Sequence, residues 1–207
     1  MIAVVFFLLL AQAADLSGVK HQDPLPAGLN ASVASQLTPG GVRVTIGPNA
    51  LTFWFVKQLA GADPSAKVAA WSDVREGTLV GAVKIDKDFR DIRGRVVKAG
   101  TFTLRYGIQP ANGDHLGVSP YRDFILLSPV AIDTDPAPRG HDGTVEISKE
   151  AIGGSHPAVL SIDPPVASAA PLSVSTTELG HKAIVLEVPT AGGALRFGLV
   201  LIGKIEA

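Results

Sequence analysis

Cysteine is absent from all 207 residues. That removes disulfides, thiolate metal sites and cysteine nucleophiles together, and leaves the fold to be held by its core. Charge of either sign is scarce: 18 Lys plus Arg stand against 19 Asp plus Glu, in all 18% of the chain. With no basic excess to meet phosphates, nucleic acid is not an expected partner. No G-x-G-x-x-G or GK[ST] stretch occurs, so no phosphate-cradling loop is predicted, and GxSxG is missing as well. The five histidines, at 21, 115, 141, 156 and 181, show neither HxH nor HExxH spacing, so no sequence-local zinc or copper site is expected. Two Trp and two Tyr are too few for the aromatic girdles of an outer-membrane barrel. No internal repeat of the length used by solenoids and propellers is visible.

What is present is apolar. Hydrophobic residues make up 46% of the chain, enough for a packed core, and the length suits one domain better than two. Ile2–Leu10 is a continuous apolar run followed by Ala11-Gln12-Ala13, an A-x-A cleavage pattern. Residues 1–13 are therefore read as a secretory signal peptide, since nine apolar residues fall short of a bilayer core of roughly 30 Å. Residues 14–40 form an extended lead-in that pairs at a sheet edge, and 41–207 a single domain. The expected address is secreted or periplasmic, with no membrane span after cleavage.

The chain is organised around Val96–Leu127. From Thr101 to Ile108, Phe102, Leu104, Tyr106 and Ile108 alternate with Thr101, Thr103 and Arg105, the period-two signature of a strand with one face on a core. Gln109–Pro120 packs two Gly, two Pro, one Asn and one Asp into twelve residues and reads as a loop. Tyr121–Leu127 ends in four consecutive apolar residues, as in a strand buried on both faces. Similar patterns predict strands at 41–46, 51–59, 78–85, 157–162, 172–176, 182–188 and 194–205. Asp86–Gly94 reads as a charged, solvated connection. A short helix is predicted over 144–152, capped by Asp142 or Thr144, with Glu146 in its first turn, Lys149 near its end and Gly153-Gly154 as its stop. Many short strands and one brief helix predict an all-β fold, an antiparallel β-sandwich or jelly roll, with a barrel as the alternative.

The stretch VVKAGTFTL, preceded by Trp71 and by Val83–Ile85, resembles the AG-x-Y/F-x-L strand of small secreted bacterial β-sandwich domains of unknown function. The resemblance covers Trp71 to Leu127. It implies a sandwich and an exported protein, and carries no catalytic residues with it.

Two clusters are candidate sites. Asn112-Gly113-Asp114-His115, with Tyr121-Arg122-Asp123 close behind, supplies donors and acceptors for a ligand pocket in a loop region. The same residues are also ordinary turn formers. Asp133, Asp135, His141 and Asp142 place three carboxylates and an imidazole within ten residues, a set that suits Ca²⁺ through oxygens or a borderline metal through His141. It lacks the Gly and terminal Glu of an EF-hand loop. Trp54, Trp71, Tyr106 and Tyr121 are the aromatics for sugar stacking, the two Trp being better suited to a core. The resulting expectation is an exported, non-enzymatic binding or structural module of unknown ligand, with a protein or glycan partner and no cofactor. A carbohydrate-binding or carbohydrate-active domain and a His/Asp metal-binding module are the alternatives.

Overall fold

The structure is a computed structural model that describes residues 16–61, 70–110, 121–165 and 169–203. The predicted leader and the loop carrying Asp114 and His115 lie outside these residues. In chain order come β1 (Leu16–His21), a one-turn helix α1 (Ala31–Ala34), β2 (Gly41–Ile46), β3 (Asn49–Phe55), a 3₁₀ turn at Trp71–Asp73, and β4 (Leu79–Ile85). Then follow β5 (Phe89–Arg90), β6 (Val96–Val97), β7 (Gly100–Ile108), β8 (Asp123–Pro129) and α2 (Gly140–Lys149). The chain finishes with β9 (Ala158–Asp163), β10 (Val174–Thr176), β11 (Lys182–Thr190) and β12 (Gly193–Ile202).

The fold is all-β and antiparallel. Ten strands hydrogen-bond in the order β1-β2-β3-β4-β7-β8-β9-β12-β11-β10. The first seven form a meander, and β9-β12-β11-β10 is a Greek key in which the chain leaves β9 for the far edge and returns. The sheet curls until β1 meets the β10–β11 edge. Gly18 permits this approach, because a methyl there would lie 2.3 Å from Ile184 Cδ1. The lead-in therefore does pair at an edge, as β1 against β2, with Leu16 opposite Ile46 and His21 opposite Gly41.

Alternation sends Leu104 and Tyr106 of β7 inward with Ile125 and Leu127 of β8, Leu160 of β9 and Phe197 of β12, all 2% exposed or less. Trp71 stacks on Tyr106 at 4.8 Å and meets Phe197 edge-on at 5.4 Å, so the 3₁₀ turn plugs one end of this core. Both Trp residues are buried, as their size and the patterning suggested.

Three local expectations shift. The helix occupies Gly140–Lys149 rather than 144–152, and neither Asp142 nor Thr144 caps it. Its entry is set by Gly140 at φ +70, and the Thr144 hydroxyl donates back to the Gly140 carbonyl inside the first turn. The segment 86–94 is a solvated connection only in part, with Asp86, Lys87, Asp88, Arg90 and Gly94 exposed. Phe89, Asp91 and Ile92 are buried, and β5 and β6 pair as a small hairpin whose turn is tied by the Arg93 and Arg95 N–H groups donating to Asp91 Oδ1 at 3.0 and 2.9 Å. Its apolar residues outweigh its charges because they reach a core. Finally, Thr103 and Arg105 do not face water: each is 0% exposed, since α2 and the chain leading into it cover that side of β7.

Candidate functional site

The site is built outward from Arg105. All five guanidinium N–H groups are used. Nε and Nη2 grip the Asp133 carboxylate at 2.6 and 2.9 Å, Nη1 donates to the carbonyls of Gly77 and Ala137 at 2.6 and 2.9 Å, and Nη2 also donates to the Asp135 carbonyl at 2.5 Å. Asp133 additionally accepts from Thr103 Oγ1, and from Arg139 Nε at 3.0 Å. A charge this deep is tolerable only when paired and fully hydrogen-bonded, and here it is. The consequence is positional: residues 133–139 are strapped to the outward side of β7, and α2 starts where the strap ends.

Gly77 sits under that start. At φ +78 it approaches so closely that a methyl would lie 2.6 Å from the Gly140 nitrogen and 2.8 Å from Thr144 Oγ1. The neighbouring Glu76 is thereby brought to His141. Glu76 Oε1 lies 3.0 Å from His141 Nδ1 and accepts the Ile108 N–H at 2.7 Å. With a carboxylate as partner, Nδ1 is the donor.

From here α2 runs along the outward side of β8 and leaves a groove of about 560 Å³ between helix and sheet. Phe124 and Leu126 of β8 and Val159 of β9 supply an apolar floor, and Gly107 deepens it, since a methyl there would lie 2.2 Å from Leu126 Cδ1. His141, Thr144, Val145 and Lys149 line it from the helix, and Ile92 and Arg93 from the β5–β6 turn. Ile92, Phe124, Leu126 and Val159 belong to a second apolar cluster, separate from the main core, against which Val145 packs. Its volume falls in the range of small-molecule sites.

The residues singled out from sequence are distributed differently. Asp123 points inward and accepts the Tyr106 hydroxyl at 2.5 Å. Burial first, and then this bond to a carboxylate, push the Tyr106 phenol above its ordinary range, so it remains a donor. Arg122 closes the sheet end by donating Nε and Nη2 to the Gln109 carbonyl at 2.9 and 2.7 Å. Glu178 acts electrostatically on the Tyr121 hydroxyl. These three side chains thus serve three different partners. Asp133 and Asp135 belong to the Arg105 network, where Asp135 Oδ1 also accepts the Ala137 N–H at 2.9 Å, while His141 pairs with Glu76. Among the described residues, no three His, Asp or Glu side chains gather as a metal-ligand set.

Glu76, Arg93, Lys149 and the groove floor were not anticipated. The signal for the floor was there: a four-residue apolar run at the end of Tyr121–Leu127 implies cover on both faces, and the outward half of that run is the floor. Comparison with family models, with curated proteins and with solved structures finds no match for this chain.

Proposed function

We propose that this protein is an exported, non-enzymatic binding module that takes a small, largely apolar ligand in the groove between α2 and the outward side of β7, β8 and β9. The observation that carries this reading is the groove itself: about 560 Å³ with an apolar floor of Phe124, Leu126 and Val159, and polar side chains such as Glu76, Arg93, His141 and Lys149 on its walls. The groove sits on a rigid base, because the Arg105 network and Gly77 fix where α2 begins. Export rests on the leader pattern at 1–13. The glycan reading has less support, because Trp54, Trp71 and Tyr106 are buried and offer no exposed stacking face.

The test is titration of the full chain with an environment-sensitive naphthalene dye, alongside the groove-filling variant Val145→Trp. Enhanced, saturable fluorescence that Val145→Trp abolishes without altering the thermal midpoint supports the reading. An unchanged dye spectrum with the natural chain, or equal binding by the variant, removes it.

A further inference from the structure

We infer that the groove ligand is an amphiphile with an anionic head of the alkyl carboxylate class, seated on Arg93 with its chain over Phe124, Leu126 and Val159. This deepens the binding reading and rests on it.

Six titratable side chains line the groove: Glu76, Arg93, Tyr106, His141, Lys149 and His156. Glu76 is engaged by the Ile108 N–H and His141, and Lys149 Nζ donates to Glu146 at 2.5 Å. The Arg93 guanidinium, half-buried, makes no hydrogen bond or ion pair among the described residues, unlike Arg105, Arg122 and Arg139. Asp91 attracts it without forming an ion pair, its Oδ1 taken up by two backbone N–H groups and its Oδ2 without a hydrogen bond, and Arg95 adds a like charge nearby. Partial burial first, and Arg95 second, hold the Arg93 guanidinium below the usual arginine range, with Asp91 acting the other way.

Placement favours one orientation. The β5–β6 hairpin leaves β4 at Ile85 and re-enters at Gly100, and these two residues are paired. That is the sheet end where β8 finishes and where α2 hands the chain through Ser155–Pro157 to β9, so Lys149 lies at that end of the groove and the hairpin that carries Arg93 is rooted there. Glu76 stands at the other end, beside the start of α2, roughly 15 Å away by the rise of ten helical residues. An anion is attracted at the Arg93 end and repelled by Glu76, with apolar surface between. A guanidinium fork also matches a carboxylate in shape.

The experiment is calorimetric titration of the full chain with decanoate and with decanol, for the natural protein and for Arg93→Gln, at low and high NaCl. Decanoate should bind more tightly than decanol, lose about ten- to a hundredfold in affinity in Arg93→Gln, and weaken as NaCl rises, while decanol binding is unaffected by the substitution. Equal affinity for the two probes, or an Arg93→Gln protein that binds decanoate as the natural chain does, overturns the anion seat and leaves the groove reading standing. If neither probe nor the naphthalene dye binds the natural chain, both readings fall. The salt dependence, measured on the unmodified protein, decides the matter even if Arg93→Gln proves unstable.

Discussion

Arg105 and Arg93 belong to the same outer layer of the molecule and have opposite fates. Arg105 is wholly buried under the strap that leads into α2, and every N–H it owns has an acceptor. Arg93 lines the open groove beside the same helix with no such partners. A buried cation has to be answered from within the protein, or the chain would not fold around it, so Arg105 acts as a structural pin. A cation that keeps some contact with water can persist unanswered, and is then available to something from outside. Asp163 of β9 is the intermediate case. It is 1% exposed, yet neither carboxylate oxygen accepts a well-formed hydrogen bond, with Thr177 and His181 only easing its position.

The contrast can be broken by substitution. The largest effect is expected from Asp133→Ala, which strands Arg105 and should cost about 3–5 kcal/mol in urea denaturation. The double variant Arg105→Met with Asp133→Leu should cost clearly less than the two single changes summed. Additive losses would mean that the pair is not the pin described above. Gly77→Ala comes next. A methyl at φ +78 and 2.6 Å from the Gly140 nitrogen should remove about 2 kcal/mol and shift the start of α2. Amide chemical-shift changes at His141 and Thr144 would report that shift.

Asp163→Asn should act in the opposite direction. Burial raises the Asp163 carboxyl above the ordinary carboxylate range, so the folded chain holds that proton more tightly than the unfolded chain. Its contribution is therefore most favourable at acid pH and declines as pH rises from the ordinary value through the raised one. Removing the charge should stabilise the protein by about 1 kcal/mol at pH 7 and by little in acid. A variant that is less stable at pH 7 would show that the carboxylate is satisfied after all. Arg93→Gln is the smallest in stability, within about 0.5 kcal/mol of the natural chain. Its consequence belongs to decanoate binding alone.

The sheet was readable because alternation is a local property. Phe102, Leu104 and Tyr106 lie two apart, and a strand must send them to one side whatever surrounds it. β2, β4, β7, β9 and β11 accordingly lie within a residue or two of their expected limits, and the two-faced burial expected of the run ending at Leu127 holds for Phe124–Leu127. Thr103 and Arg105 misled because polar residues on the alternate positions of a strand resemble a solvated face. Only a distant Asp133, a carbonyl from Gly77 and a helix laid across them reverse that meaning. The offset of α2 has the same origin: its start is held by side chains of the strap and by Gly77, not by a residue within its own first turn.

The candidate residues around Asp123 and Asp133 were grouped by sequence proximity, and the structure gives Asp133 and Asp135 to the Arg105 network and His141 to Glu76. Sequence proximity brought Tyr121, Arg122 and Asp123 together on paper, while strand geometry turned Asp123 inward and its neighbours to other partners. Glu76, Arg93 and Lys149 stand far apart along the chain and line one groove only because a hairpin, a glycine contact and a helix converge on the outward side of β8. What the amino-acid order determined alone was the class of fold, through side-chain periodicity and the punctuation of Gly and Pro, which need no knowledge of what lies across the core. Which charges are answered and which are left open, and hence where a ligand would go, was decided in three dimensions, because electrostatic satisfaction depends on distances between residues that the chain itself keeps apart.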